Sequence, residues 1–234
     1  MHASVDTLLN AIKVSPDSIW VTQKYIENPL IIRNKKFDIR QWVVVSSWQP
    51  LKIWYFTDCY LRFSAENYDP SKIHDKFSHL TNNSIAALSQ KFEQSDIEGN
   101  MWFAQQFSDH LMKMSGESFH AGGENVYRTK VEPQMREGVI ASVLAAREMA
   151  LHRDNAHEMF GYDFMVDTSF NVWLIEVNSS PCMEYSTKVT ESLVKELLRD
   201  VTALVVDYEN GNGHLFEDHQ QRTIGKLQLI YSEQ

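Results

Sequence analysis

The sequence predicts an α+β fold in which helices flank an antiparallel sheet. Segments rich in aromatic and β-branched residues alternate apolar and polar positions, and they occur in pairs joined by short turns, as in β-hairpins. Segments with helical spacing lie between these pairs rather than after every strand. This order favours an antiparallel sheet over a parallel, doubly wound one.

The predicted elements follow the apolar periodicity along the chain. In the first half we expect a helix at 5–13, strands at 19–26, 37–47 and 51–57 with a turn at 49–50, and a short extended piece at 60–63. In the second half we expect helices at 101–114, 132–151 and 187–206, a loop at 116–123, and a hairpin from 161 to 180. Residues 1–17 are expected to form a lead-in, 18–208 the main unit, and 209–234 a loosely structured tail.

The composition restricts the kind of protein. A chain of 234 residues with 43% hydrophobic and 12% aromatic residues can form a substantial core. We predict no membrane segment, because no apolar run approaches the ~20 residues that a spanning helix needs. The two cysteines, Cys59 and Cys182, form no CxxC pair, which favours a reducing, cytoplasmic compartment. The net charge of −9 argues against a nucleic-acid partner.

The hairpin formed by 161–167 (GYDFMVD) and 172–181 (VWLIEVNSSP) carries the most informative pattern. If its turn centres on residues 169–170, Asp163 lies opposite Glu176, with Cβ atoms roughly 5 Å apart. Asn178 lies two residues beyond Glu176 and therefore on the same face. Because two opposed carboxylates repel each other, and all three side chains supply oxygen, the pattern predicts a Mg²⁺ site. The alternative is a surface hairpin with unrelated charges.

A second polar group stands at the start of the long strand. Lys36, Asp38 and Arg40 share one face of it, and apolar Trp42 and Val44 continue that face. The charges therefore end at the edge of a covered region, where a phosphate or a ribose could be bound. The alternative is a solvated strand end with internal ion pairs.

Two further polar positions are ambiguous by themselves. Arg62 lies between hydrophobic residues, so it either points inward to an anion or belongs to an edge strand. Thr81 and Asn82 belong to a cluster of short hydrogen-bonding side chains that is typical of a loop.

Taken in order, these segments resemble the tubulin tyrosine ligase-like family of ATP-grasp ligases. The resemblance covers about 18–208 and is carried by the hairpin and by 23–32 (QKYIENPLII), 36–42 (KFDIRQW), 60–63 (YLRF) and 79–84 (HLTNNS). Within that family the chain is most similar to the glycylases, through 58–63 (DCYLRF) and 178–190 (NSSPCMEYSTKVT).

The resemblance implies an ATP- and Mg²⁺-dependent ligase that joins glycine to glutamate side chains of a tubulin tail. The residues implied to bind ATP are Gln23, Lys24, Tyr25 and Ile26 in a hinge strand, then Lys36, Asp38, Arg40, Thr81 and Asn82. The metal would be held by Asp163, Glu176 and Asn178, and Arg62 would face the charge that develops at the reacting carboxylate. The resemblance also implies that the protein acts at the cytoskeleton, in a cilium or flagellum.

Two expectations follow from this resemblance. The chain corresponds to the C-terminal lobe of an ATP-grasp module, so alone it should bind ATP weakly and should not ligate. An acidic tubulin tail must be bound by local basic residues, for which Arg33 and Lys35 are available besides Arg62. Two alternatives remain: a non-catalytic tubulin- or nucleotide-binding module, or a tyrosine or glutamate ligase of the same family.

Overall fold

The computed structural model describes residues 4–14, 17–92, 95–114, 125–153, 156–206 and 223–233. Within these ranges, eight strands form one antiparallel sheet in the order β6-β5-β2-β3-β8-β7, with β1 added to β2 and β4 added to β3. The strands are β1 Ile31–Ile32, β2 Lys35–Trp48, β3 Leu51–Phe63, β4 Met101–Phe103, β5 Glu158–Val166, β6 Val172–Asn178, β7 Thr223–Ile224 and β8 Leu227–Ser232. The predicted α+β fold with an antiparallel sheet is confirmed.

Six α-helices accompany the sheet in the described ranges. They are α1 Val5–Val14, α2 Lys76–His79, α3 Asn83–Ala86, α4 Ala104–Met114, α5 Glu132–Ala146 and α6 Lys188–Thr202. In the described ranges, no helix is both long enough and apolar enough to cross a bilayer.

The sheet is covered on both faces, and each face has its own apolar cluster. Phe37, Ile39 and Val43 of β2 pack on the side of α4 and α5, with Phe107 and Val139. Trp42 and Val44 of β2 pack on the other side with Leu193 and Leu197 of α6. Since successive strand residues point to opposite faces, the near-continuous burial of β2 follows from this double covering.

The predicted helices at 132–151 and 187–206 are shorter in the structure, and strand pairing changes two further boundaries. The predicted pieces at 51–57 and 60–63 form a single strand, β3, which pairs with β2 across two register shifts. The predicted helix at 101–114 begins with the short strand β4, because Met101–Phe103 pair with β3 before α4 starts. The expected loop at 116–123 lies outside the described residues.

The prediction of a loose tail at 209–234 is wrong for residues 223–233. They form a hairpin that adds β8 to β3, where Ile53 pairs with Tyr231. The Lys226 ammonium is within 2.6 Å of Asp58 on β3 and 2.7 Å of Glu196 on α6. At the turn, Gly225 has φ +57°, and an added Cβ would lie 2.3 Å from the Asp200 carboxyl carbon, so only glycine fits there.

The turn of the β5–β6 hairpin is organised by one carboxylate. Asp167 Oδ1 accepts the backbone N–H groups of Ser169 and Asn171, and its Oδ2 accepts the Asn171 amide and the Trp173 indole N–H. These bonds lower the pKa of Asp167, although burial acts in the opposite direction. The register of the hairpin is therefore anchored by an ionised side chain.

We predict that Asp167→Ala lowers the free energy of unfolding by about 1–3 kcal/mol at pH 7, because several hydrogen bonds to a charged acceptor are lost. The folded-state pKa of Asp167 is lowered, so its stabilisation is present above an unfolded carboxyl's pKa of about 4 and disappears as the pH falls below it. Urea denaturation between pH 3 and 7 measures this, with exposed Glu137→Gln as the control. A deficit that stays constant down to pH 3 would contradict the role of the charge.

Candidate active site

The strand register brings most of the predicted site residues onto one face of the sheet. Glu176 on β6 pairs with Asp163 on β5, and Asp163 pairs with Arg40 on β2. Asp38, two residues before Arg40 on β2, pairs with Arg62 on β3. Directly opposed residues of antiparallel strands point to the same side, so four strands contribute to a single patch.

The four central charges of this patch form a buried ion-pair network. Arg40 Nε and NH2 donate to the two oxygens of Asp163, and Arg62 Nε and NH2 donate to those of Asp38. Arg62 NH2 also lies 2.8 Å from Asp163 Oδ2, which links the two pairs. All four residues are at most 7% exposed. Arg62 therefore points inward, and two of its three nitrogens are already bound to carboxylates.

The two carboxylates of the hairpin have opposite electrostatic surroundings. Burial raises the pKa of Asp163, but Arg62 and Arg40 outweigh burial, and its pKa is lowered. The contact with Asp163, together with partial burial of the carboxyl group, raises the pKa of Glu176, although the residue as a whole is exposed. Asp163 is therefore firmly ionised, whereas the charge of Glu176 is opposed by its neighbour.

The donor set of this hairpin fits a hard cation. Glu176, Asp163 and the Asn178 amide offer oxygen atoms, and the Asn178 amide nitrogen lies 3.2 Å from Glu176 Oε1. The raised pKa of Glu176 is the effect expected of two carboxylates without a cation between them. In the described ranges, no group of three His, Cys, Asp or Glu side chains could hold a metal. A Mg²⁺ ion here would therefore complete its shell with water or phosphate oxygens.

Lys36 lies at the other end of the charged face and contacts aromatic groups. Its ammonium donates to the Tyr25 hydroxyl at 3.2 Å and lies 4.5 Å from the centre of the Tyr25 ring. The Tyr25 hydroxyl in turn lies 2.8 Å from His79 Nδ1. Helix α2 thus brings the loop that follows it, with buried Thr81 and half-buried Asn82, to the side of Lys36. The Asn82 side chain makes no capping hydrogen bond to α3.

The predicted hinge strand at 19–26 is not a strand in the structure. Ile19 is 99% exposed, so its apolar character does not reflect pairing or burial within the described part of the chain. The segment instead runs beside β6, where Gln23 Nε2 donates to the Ile175 carbonyl at 2.9 Å. Gln23, Lys24, Tyr25 and Ile26 line a cavity of about 400 Å³ together with Glu27, Asn28, Asp167, Trp173, Leu174 and Ile175. The Lys24 ammonium is exposed and paired with Glu27.

Of the three basic residues considered for an acidic tail, Arg33, Lys35 and Arg62, only Arg33 is accessible. Lys35 is 5% exposed, and its ammonium donates to the Ala65 carbonyl, Ser95 and Asn100. These three hydrogen bonds engage the Lys35 ammonium within the protein, which argues against its contact with an acceptor tail. Arg33 is partly exposed, stacks over the Trp102 ring at 5.3 Å and donates to Asp96 at 3.0 Å. It borders a cavity of about 350 Å³ that also includes Lys188.

Sequence reasoning missed the roles of two side chains at this site. His79 opens the 79–84 motif, but its contact with Tyr25 joins residues 54 positions apart and leaves no periodic signal. Tyr60 pairs with Arg40, and its hydroxyl is close enough for Arg40 and Arg62 to influence its pKa, which burial raises. Tyr60 is also buried in the apolar cluster on the side of α6, so its aromatic side chain gave no signal of its position beside the charges.

Comparison with known proteins identifies the family. The profile of the Tubulin-tyrosine ligase family matches residues 4–212, which is most of the chain. The chain belongs to the tubulin-tyrosine ligase family. Among relatives of this family member, Tubulin glycylase 3C of Tetrahymena thermophila is 48% identical over 196 residues, which are 83% of this chain and 18% of that protein.

Two human members of the tubulin-tyrosine ligase family are also similar to the chain. Tubulin monoglycylase TTLL3 is 37% identical over 197 residues, or 83% of this chain and 24% of that protein. Protein monoglycylase TTLL8 is 36% identical over 201 residues, or 83% of this chain and 22% of that protein. The chain thus spans about a fifth of the length of the curated relatives it matches.

For this tubulin-tyrosine ligase family member, we predict that Asp163→Asn and Glu176→Gln affect stability very differently. The first leaves two buried guanidinium groups without their shared carboxylate, at a cost of about 3–5 kcal/mol. The second removes an exposed charge that Asp163 opposes, so the free energy of unfolding at pH 7 should stay within about 1 kcal/mol of the unmodified chain. Urea denaturation measures both, and equal losses would contradict the network.

Proposed function

We propose that the chain contributes to an ATP- and Mg²⁺-dependent ligase that adds glycine to glutamate side chains of tubulin tails. The observation that carries the proposal is the face on which Asp38, Arg40, Arg62, Asp163 and Glu176 meet, in a chain of the tubulin-tyrosine ligase family. The relatives named as glycylases favour glycine as the amino acid that is added.

Asp163, Glu176 and Asn178 are the residues that would hold Mg²⁺. When bound, the ion would neutralise phosphate charge during phosphoryl transfer. Its binding would also relieve the repulsion between Asp163 and Glu176, which raises the pKa of Glu176 in the protein alone. The ionised state of Glu176 and metal binding are therefore expected to depend on each other.

The nucleotide is proposed to lie between β6 and the ammonium of Lys36. Gln23, Lys24, Tyr25 and Ile26 would line the base, beside the cavity formed with β6. Lys36, Asp38 and Arg40 would lie along the ribose and phosphates, with Thr81 and Asn82 at the loop after α2. Asp38 and Arg40 are prepared for this role because their ion pairs fix both side chains in place.

The proposed chemistry has two steps and no protein nucleophile. An oxygen of the acceptor glutamate attacks the γ-phosphorus of ATP, so that an acyl phosphate forms and ADP leaves. The amine of glycine then attacks the acyl carbon, phosphate leaves, and the amine loses a proton as the isopeptide bond forms. Arg62, at the centre of the ion-pair network, would stabilise the negative charge that develops at the reacting carboxylate.

The proposed partner is a string of glutamates, which this acidic chain must bind through local positive charge. Arg33 is the accessible basic residue of the three considered above, and it lies near the β4 edge of the sheet through its contact with Trp102. Action on tubulin would place the protein at the cytoskeleton, in a cilium or flagellum.

We predict that Glu176→Gln abolishes glycine ligation while the fold is retained. The segment of this chain that matches Tubulin glycylase 3C would replace its counterpart in that enzyme, and labelled glycine incorporation into tubulin would be measured. A chimera with Glu137→Gln, an exposed position on α5, serves as the matched control. Incorporation by the Glu176→Gln chimera at the control rate would remove the metal assignment.

The same chimera discriminates between the candidate functions. Incorporation of glycine supports the proposal, whereas incorporation of tyrosine or glutamate in its place identifies a different ligase of the family. A folded chimera that binds Mg²⁺-ATP but incorporates no amino acid would favour a nucleotide-binding module.

We predict that Arg33→Ala raises the apparent KM for the tubulin tail and reduces its dependence on salt, with the KM for ATP unchanged. The reason is that Arg33 is partly exposed and separate from the buried charge network. Steady-state kinetics of the chimera would measure this at salt concentrations from about 25 to about 300 mM, a range over which the screening length for exposed charges shortens strongly. A change confined to the KM for ATP would show that Arg33 lies on the nucleotide side.

A further inference from the structure

Three hydrogen bonds in series connect Lys36 to the main chain before α2. The Lys36 ammonium donates to the Tyr25 hydroxyl at 3.2 Å, the hydroxyl lies 2.8 Å from His79 Nδ1, and His79 Nε2 lies 3.0 Å from the Lys72 carbonyl oxygen. Lys36 and His79 are 5% and 3% exposed, so both of these members are shielded from water. The chemistry proposed above uses Lys36 but assigns no role to His79.

The direction of this series follows from the chemistry of its members. A carbonyl oxygen only accepts, so His79 Nε2 must carry the hydrogen that bonds Lys72. Burial lowers the pKa of His79, with a further contribution from Lys36, so the imidazole is neutral near pH 7 and has a single N–H. Its Nδ1 is therefore an acceptor for the Tyr25 hydroxyl hydrogen. The lone pairs of the Tyr25 oxygen are then left for the ammonium of Lys36.

This arrangement matters because Lys36 is a buried cation. Among the described residues it makes no ion pair with a carboxylate, and burial lowers its pKa to about 8, although Asp38 acts in the opposite direction. The Tyr25 oxygen and ring favour the charged form by a hydrogen bond and by cation–π attraction. The Tyr25 hydroxyl, which His79 holds in one orientation, thus helps the Lys36 ammonium to stay protonated although burial lowers its pKa.

We propose that His79 is a positioning residue which, through the Tyr25 hydroxyl, keeps the Lys36 ammonium charged and oriented toward an anionic ligand. The class of the ligand, a nucleoside triphosphate, rests on the proposed function, whereas the effect of His79 on Lys36 does not. The protein would therefore bind its anion with an affinity that falls as the pH rises through about 8, because the ammonium is lost there.

The groups that act on the two titrating side chains are few. Lys36 faces Tyr25 and Asp38. His79 faces Tyr25, Tyr68, Lys36, Asp69 and Asp75. Asp38 is itself bound by Arg62 through two hydrogen bonds and is the same in every variant below. Tyr25 also faces Tyr68, which acts on its hydroxyl. The influences on Lys36 that can be altered without removing a charge are therefore the Tyr25 hydroxyl and the Tyr68 and His79 side chains behind it.

A matched set of variants isolates this influence. His79→Asn places an amide oxygen near the position of Nδ1 and preserves the acceptor for Tyr25. His79→Gln places its amide near Nε2, which preserves the bond to Lys72 but removes that acceptor. Tyr25→Phe removes the hydroxyl and retains the ring. A purely structural role of His79 would make the Asn and Gln variants similar to each other.

The first measurement does not depend on any ligand. Competitive labelling of the 234-residue chain with acetic anhydride from pH 6 to 11 gives the pKa of Lys36, and exposed Lys24 provides an internal reference. Circular dichroism and thermal unfolding establish that each variant is folded. We expect the Lys36 inflection to fall by about one pH unit in Tyr25→Phe and His79→Gln, and to stay unchanged in His79→Asn.

The second measurement is calorimetric titration of the chimera with Mg²⁺-ATP at pH 7 and pH 8, because the chain alone is expected to bind ATP weakly. A fall of one unit in the pKa of Lys36 predicts about fivefold weaker binding at pH 8 for Tyr25→Phe and His79→Gln, with His79→Asn similar to the unsubstituted chimera. Unchanged labelling of Lys36 in every folded variant, or equal shifts in the Asn and Gln variants, overturns the proposal. Shifts of the expected pattern without Mg²⁺-ATP binding by the unsubstituted chimera support the role of His79 and overturn the nucleotide assignment instead.

Discussion

The buried pairing of Arg40 and Arg62 with Asp38 and Asp163 is the constraint on which the rest of this site depends. Four charges at most 7% exposed cannot be separated from their partners without a large desolvation penalty. Their strands, β2, β3 and β5, must therefore keep one register. The side-chain oxygens of exposed Glu176 and half-buried Asn178 inherit their position from this register, since β6 pairs with β5 alone in the described sheet.

Solvent exposure differs between the charged residues that fix the strands of this site and those that are proposed to bind ligands. Asp163 is buried and its pKa is lowered, whereas Glu176, directly opposite, is exposed and its pKa is raised. The buried Asp163 carboxylate is thus fixed in place, whereas the charge of the neighbouring Glu176 carboxylate can respond to a cation. The same division recurs at the other end, where fixed Asp38 accompanies Lys36, whose pKa is lowered to about 8.

The sequence was sufficient to predict features that depend on the alternation of residues along a strand and on which residues lie opposite each other in a hairpin. The alternation in 161–180 predicted that Asp163 lies opposite Glu176, and that pairing is confirmed. Features that depend on distant neighbours were not accessible. Ile19 alternates as a strand residue but finds no partner strand in the described ranges, while Leu227 and Tyr231 looked like tail residues and pair with β3. The contact between Tyr25 and His79 likewise depends on tertiary packing.

The hairpin at 223–232 has a consequence for the order in which the protein folds. Lys226 reaches Asp58 across 168 residues of sequence, and β8 is the neighbour of β3 on the side away from β2. On the ribosome, residues 52–56 of β3 therefore stay unpaired on that edge until β8 has been synthesised, whereas residues 60–62 can already pair with β4. An unpaired edge invites association with other chains, so newly made protein is vulnerable to aggregation during this interval. The emergence of β8 is the event that ends that exposure.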